Sequence, residues 1–379
     1  MPRPFPAAPP SIRLAHPEDG VSRYWFDFAE RPFLVIWEVT RACHLACHHC
    51  RAMAQAHPHP DELTTDEGRA LIDQVARLGP ALFILTGGDP ALRPDLLELV
   101  RHASDHGLRV GLSPSATPRL MRTDFHALAD AGVKRMSLSL DGPTQAEHDD
   151  FRGVRGAWGW TFRAIEMAHD AGITVQINTT ISRRNIHRLP DFERVLTGIS
   201  PEMWSLFLLV PTGRAGVGEM PSAEETEAFL QALHKTAGRL RFPVKTTEAH
   251  QYRRIQLQHG ASLRKGMRAP VGISDGRGFV FVSHRGEICP SGFLPLVTGN
   301  IRSHELGDVY RDGPWFRALR DPARFSGKCG RCEYRGICGG SRARAFALTG
   351  DPLASDPSCP YKPIPAESAE SAESPVLTA

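Results

Sequence analysis

Short apolar runs alternate with stretches of helical periodicity along most of the chain. The runs are FLVIWEV (33–39), LFILTG (82–87), RVGLS (109–113), VKRMSLSL (133–140), TVQINTTI (174–181) and WSLFLLV (204–210). They are short and β-branched, the pattern of strands covered on both faces. Between them TDEGRALIDQVARLG, RPDLLELVRHASDHG, DFHALADAGV, GWTFRAIEMAHDAG and HRLPDFERVLTGI repeat apolar residues at helical spacing. Gly79, Gly107, Gly132 and Gly172 stand where those helices should stop. Six strand–helix rounds imply a parallel sheet with right-handed crossovers. The expected fold is α/β: a partial (β/α)6 TIM-like barrel with its chemistry at the C-terminal ends of the strands.

The pattern breaks at PTGRAGVGE, and five segments follow from it. Residues 1–30 form an N-terminal extension rich in Pro, 31–220 the barrel, and 221–275 a helical linker with a basic stretch. Residues 276–362 make a small Cys-rich C-terminal domain that opens with a hairpin, FVFVSHRGEIC. The AES repeats of 363–379 lack the apolar content to fold and are expected to be disordered.

Composition adds mainly exclusions. The 379 residues carry 45 basic and 42 acidic side chains, a balance that gives no reason to expect nucleic acid as a partner. No apolar run approaches the ~20 residues of a membrane span, and the N-terminal stretch has no secretory h-region. A cytoplasmic protein is expected. In that reducing setting, clustered thiolates are better explained as metal ligands than as disulfides.

Of the eight cysteines, Cys43, Cys47 and Cys50 fall on the loop directly after the first strand, in WEVTRACHLACHHC. Three thiolates can ligate three irons of a [4Fe–4S] cube, leaving one iron open for a substrate. With His44, His48 and His49 alongside, zinc is the competing occupant, and small buried hydrophobes are the bland reading. Cys329, Cys332, Cys338 and Cys359 form a second group, Cys-x2-Cys-x5-Cys followed by a distant Cys. Four ligands would close a [4Fe–4S] cube, suited to electron transfer or structure, with a zinc ribbon as the alternative. Cys289 stands alone as a spare thiol, a substrate-facing group or a buried hydrophobe.

On these motifs the chain resembles a radical S-adenosylmethionine (SAM) enzyme with a C-terminal SPASM-type domain, over roughly residues 33–362. The resemblance implies that the first triad binds a cluster that cleaves SAM reductively to a 5′-deoxyadenosyl radical, with no side chain needed as general base. LTGGDP resembles the family's Gly-Gly-Glu motif and so assigns Gly87, Gly88 and Asp89 to the SAM amino group. The bare residues read as a plain turn with a capping Asp. Ser139 and Asp141 match the ribose or carboxylate contacts, Arg152 the arginine that pairs with the methionine carboxylate, and Asn178 with Thr180 a further SAM-facing pair. His49 replaces an aromatic residue that many members carry before the third cysteine. Where full SPASM domains place another cysteine, this chain has Ser341 and Arg342, so one auxiliary [4Fe–4S] cluster is expected.

The same segments look most like the heme d1 and heme-synthase branch, which implies a tetrapyrrole substrate with propionate side chains. Arg253, Arg254, Arg264, Lys265 and Arg268 are candidates to meet those propionates, or else a solvated helix face. Peptide maturation is the alternative, disfavoured because only about 30 residues precede the first strand. A non-catalytic metal-binding protein is the third. A flavodoxin- or ferredoxin-like reductant is the implied partner.

Overall fold

Each of the six apolar runs forms a strand: β1 (Leu34–Glu38), β2 (Leu82–Thr86), β3 (Val110–Leu112), β4 (Val133–Ser139), β5 (Thr174–Ile181) and β6 (Met203–Leu208). The computed structural model describes residues 27–260 and 272–364. The Pro-rich start to residue 26, the AES repeats, and Arg264, Lys265 and Arg268 lie outside them. Between the strands run α1 (Thr65–Leu78), α2 (Leu96–Asp105), α3 (Phe125–Ala131), α4 (Gln145–Arg152), α5 (Ala157–Asp170) and α6 (Leu189–Ile199). Helix α4 is not among the predicted helices, although Thr144 and Glu147 carry the T-x-x-E cap signature.

The sheet extends beyond the predicted six strands. After α7 (Ala223–Ala237), β7 (Val244–Thr247) pairs parallel with β6, and α8 (Gln251–Gln258) follows. The predicted hairpin is present as β8 (Phe279–Val282) and β9 (Glu287–Cys289), with Phe281 opposite Cys289. It belongs to the same sheet, since β8 pairs parallel with β1. With β10 (Gly299–Asn300) the order is β10-β9-β8-β1-β2-β3-β4-β5-β6-β7. The remaining helices are α9 (Leu306–Asp312), α10 (Pro314–Arg320), α11 (Gly327–Arg331) and α12 (Arg342–Thr349). No described helix is long and apolar enough to cross a membrane.

One face of the sheet packs the helices. Val35 and Trp37 of β1, with Phe83 and Leu85 of β2, join Leu71 and Val75 of α1 and Leu99 of α2 in one core. Trp37 is fully buried, and burying a side chain of that size stabilises the fold by on the order of 3 kcal/mol. The approach of α1 requires Gly68, because a Cβ there would lie 2.6 Å from the Trp37 ring. A mid-helix glycine costs about 1 kcal/mol relative to alanine, which the tryptophan's burial offsets. The capping box of Thr64 and Glu67 starts that helix.

The other face departs from expectation. Strands covered on both sides were predicted, yet β2 and β5 alternate buried with half-buried positions. The sheet does not close, having edges at β7 and β10, so its inner face remains partly open. That face carries Gln176, Asn178 and Thr180 on β5, and it leads to the strand ends where the chemistry-bearing loops gather.

Candidate active site

The three clustered cysteines sit on the loop after β1, and main-chain bonds from several elements hold that loop. The Cys43 N–H donates to Gln55 O (2.8 Å), and Ala46 and His48 donate to the Arg152 and Phe151 carbonyls at the end of α4. From β2 the TGG turn comes in below: Gly88 N–H reaches Thr40 O at 2.8 Å and Asp89 N–H reaches Ala42 O at 2.7 Å. A Cβ on Gly87 would stand 2.6 Å from Thr40 O, and one on Gly88 2.3 Å from Ala42 O. The glycine pair therefore serves a close approach between two protein segments, the cysteine loop and the β2 turn. From β6, Gly213 has φ +65° and its Cβ would meet the Cys50 carbonyl at 2.4 Å.

Two of the three thiols are hydrogen-bonded. Cys43 Sγ accepts the Leu45 N–H at 3.4 Å and lies 3.4 Å from the Ser115 hydroxyl. Cys50 Sγ accepts the Ala54 N–H at 3.4 Å and a bond from the Arg214 guanidinium. Burial works against ionising Cys50, yet those donors bring its pKa below the usual thiol range. Burial pushes Cys47 up to about 11, although the Arg152 charge acts in the opposite sense. Three neighbouring thiols, two of them with N–H donors, fit the ligand set of an iron–sulfur cluster with one open iron.

Of the polar residues assigned by resemblance, some turn inward to the protein. The Asp89 carboxylate is fully buried and accepts from Ala91 N–H (3.1 Å), Ser115 N–H (3.3 Å) and the Thr117 hydroxyl (2.9 Å). It caps the short 3-10 helix Pro90–Leu92, so its side chain is occupied within the turn. Arg152 donates to Asp141 at 3.0 Å, and the other Asp141 oxygen accepts the Thr180 N–H at 2.7 Å. Strand β4 ends at Ser139, so Asp141 lies in the loop beyond it. Ser139 and Asn178 stay half-buried on the inner face, and the Asn178 amide oxygen accepts from Gln176 at 2.7 Å. His49 is half-buried, tilted against Phe151 with ring centroids 4.5 Å apart, and its buried Nδ1 has no partner among the described residues. Its burial lowers its pKa to about 4.

Two contacts escape sequence reasoning. Ser115, after β3, donates to Gly88 O at 2.8 Å and so joins the β2 turn to Cys43. Arg214 joins the β6 loop to Cys50, donating its own N–H to the Cys50 carbonyl at 3.0 Å. Neither stands in a recognisable motif, since both act across the fold.

The second cysteine group converges as well. Cys329, Cys332, Cys338 and Cys359 line one cavity with Tyr334 and Tyr361. Each sulfur accepts a backbone N–H, from Asp356, Tyr334, Gly340 and Tyr361 in turn. That donor pattern, from four thiols around one space, fits a closed cluster. At the positions where full SPASM domains carry a further cysteine, Ser341 caps α12 and bonds Glu248, and Arg342 donates to the Pro352 and Ala354 carbonyls and to Cys329 Sγ (3.7 Å). Cys289 is buried beside Glu38 and Arg51, with burial pushing its pKa up to about 12.

Of the basic residues proposed for propionates, the two among the described residues, Arg253 and Arg254, are otherwise engaged. Arg253 donates to the Ile337 carbonyl at 2.9 Å and the Ile273 carbonyl at 2.5 Å, while Arg254 pairs with Glu227 and lies over the Tyr361 ring. Both brace the C-terminal unit. Arg344 does so from the other side, paired with Asp356 at 3.1 Å and donating to the Leu208 and Leu209 carbonyls at the end of β6.

Residues 37–195 match the family described as the radical SAM superfamily. The AdoMet-dependent heme synthase of Nitratidesulfovibrio vulgaris is 42% identical over 361 residues, 92% of this chain and 98% of that protein. The protein of the same name from Methanosarcina barkeri is 38% identical over 88% of this chain and 97% of its own. Among solved structures, Streptococcus suis SuiB bound to S-adenosylmethionine superposes with a TM-score of 0.68 at 14% identity, over 88% of this chain and 78% of SuiB.

Proposed function

The chain belongs to the radical SAM superfamily, enzymes that use a [4Fe–4S] cluster and SAM, and from that premise we propose that it acts on the propionate side chains of an iron-bearing tetrapyrrole in heme formation. The observation that carries this reading is the three-thiol loop clamped to the strand ends in a chain that matches named heme synthases nearly end to end. The four-thiol group at the C-terminal unit accords with it.

Cys43, Cys47 and Cys50 would hold the SAM-binding cluster, and Cys329, Cys332, Cys338 and Cys359 an auxiliary one. When bound, the first cluster and SAM would supply hydrogen-atom abstraction from an unactivated carbon. The chain's own residues place and shield that chemistry. Backbone groups of Gly87 and Gly88, with Ser139, Asn178 and Thr180 on the inner face, would meet SAM. Asp89 would act by holding the turn rather than by touching the ligand. Asp141 fixes Arg152 behind the cysteine loop, and the Arg152 charge lies close enough to Cys43 and Cys47 to favour their thiolates. A flavodoxin- or ferredoxin-like protein in the cytoplasm would serve as reductant.

The test is anaerobic reconstitution, iron and sulfide analysis, and an assay with SAM, reductant and iron-coproporphyrin III. About eight irons per chain are expected from two cubes, together with 5′-deoxyadenosine and a porphyrin product lighter by carboxyl loss. Formation of 5′-deoxyadenosine with the porphyrin mass unchanged would overturn the proposed substrate.

A further inference from the structure

A cluster of metal-ligating side chains lies away from both cysteine groups, on the helical layer outside the sheet. Asp73 is on α1, His102 is on the last turn of α2, and His106 caps that helix. Residues four apart on a helix share a face, so the two imidazoles lie together, with ring centroids 4.3 Å apart. Helix α1 brings the carboxylate against them. Asp73 Oδ1 is 2.8 Å from His102 Nε2 and 3.5 Å from His106 Nε2. One donor atom from each residue lies within 4.8 Å of the others.

The tautomer of His106 gives this group its direction. Its Nδ1 is 2.8 Å from the His102 carbonyl oxygen, which can only accept, so Nδ1 carries the proton. In the neutral ring Nε2 then presents a lone pair to the Asp73 carboxylate, another acceptor. Two acceptors facing one another need a positive centre between them, either a proton on His106 Nε2 or a metal ion. An imidazole held by a carbonyl at one nitrogen, with the other free to ligate, is also the arrangement usual for a metal-bound histidine.

We propose that Asp73, His102 and His106 form a binding site for a divalent transition metal of the zinc type. Two imidazoles and a carboxylate are borderline ligands that suit zinc, nickel or cobalt better than calcium or magnesium. All three side chains are partly exposed, at 42%, 24% and 43%, so solvent would complete the coordination. His102 would give up its bond to Asp73 as the metal enters, its single ring proton moving from Nε2 to Nδ1 so that Nε2 can ligate. The site would join α1 to α2, the helices that follow the cysteine loop and the TGG turn. Metal would thereby stabilise the part of the barrel carrying both.

The test uses the full chain with its clusters reconstituted, under anaerobic conditions, titrated with zinc against a chromophoric competitor. One zinc equivalent is expected in the wild type that His106→Ala and His102→Ala each weaken by at least about tenfold. Zinc should raise the melting temperature of the wild type and leave that of the double variant His102→Ala/His106→Ala unchanged. Zinc taken up elsewhere, by stray thiols for example, would appear equally in all variants. Equal zinc affinity in wild type and double variant, or an equal melting shift, overturns the proposal.

Discussion

The Arg152 guanidinium stands 3.0 Å from the Asp141 carboxylate, and both side chains are nearly excluded from solvent. The pair lies behind the cysteine loop, where α4 meets the ends of β4 and β5. Breaking a buried ion pair from one side leaves the other charge unpaired and costs about 3–5 kcal/mol. Asp141→Ala is therefore expected to lower the urea midpoint strongly. Asp141→Ala/Arg152→Met should lose less than the sum of the two single changes, because no orphan charge remains. Additive losses in a double-mutant cycle would show that the pair is not coupled.

The TGG turn makes a steric prediction. Gly88→Ala places a Cβ where the Ala42 carbonyl oxygen now sits, 2.3 Å away. Since both partners are backbone, neither can swing aside as a side chain would. The cysteine loop must shift, and overpacking of this kind costs about 1–3 kcal/mol or more. The variant should bind fewer irons after reconstitution while keeping its far-ultraviolet circular dichroism. Unchanged iron content would count against the turn as the support of the loop.

Much of this was legible in the chain because buried parallel strands announce themselves as continuous apolar runs, and Cys spacing survives any fold. What was not legible has a physical reason in each case. Strand β7, VKTT, is a half-exposed edge with no apolar run to mark it. The inner face is half-buried because the sheet stays open, and no local pattern reports closure. Ser115 and Arg214 reach the cysteines only once β3 and β6 lie beside β1 and β2. Asp89 matches a motif position, yet its partner Thr117 comes from beyond β3, and Asp141 and Arg152, both motif positions, carry no local sign that they pair with each other.

Arg344 gives a prediction about how the C-terminal unit is joined to the barrel. Its guanidinium and the Asp356 carboxylate are both wholly buried, 3.1 Å apart, and the same group donates to the Leu208, Leu209 and Glu248 carbonyls. Arg344→Met would leave Asp356 buried without its counter-charge and three carbonyls short of a donor. A loss of about 3–5 kcal/mol is expected. Limited proteolysis should then cut between β6 and α12 faster than in the wild type. An unchanged digestion pattern and urea midpoint would refute the joint.

His148 predicts a pH dependence. Its Nδ1 accepts the Asp141 N–H at 3.0 Å, which only the neutral ring can do, and burial lowers its pKa to about 4. In the unfolded chain it titrates near about 6.5. Between those values the unfolded state binds more protons, so the stabilisation is complete above about pH 6.5 and is lost as pH falls towards 4. The slope reaches up to about 1.4 kcal/mol per pH unit. His148→Asn keeps an acceptor and removes the titration, so its unfolding free energy should fall less between about pH 7 and 5. Equal slopes would exclude His148 as the source.

The two cysteine groups should separate by iron count. Cys43→Ala removes one of three thiols at the β1 loop, and Cys338→Ala one of four around the C-terminal cavity. If each group holds its own cube, either variant loses about four of about eight irons per chain. The consequences should differ. Cys43→Ala should abolish 5′-deoxyadenosine formation altogether if that group holds the cluster with the open iron, as proposed. Cys338→Ala should still cleave SAM when supplied with reductant, since Cys338 is bonded to Gly340 in the C-terminal unit and not to the barrel loops. Loss of all iron in Cys338→Ala, with the chain still folded by circular dichroism, would mean that the two groups do not assemble independently.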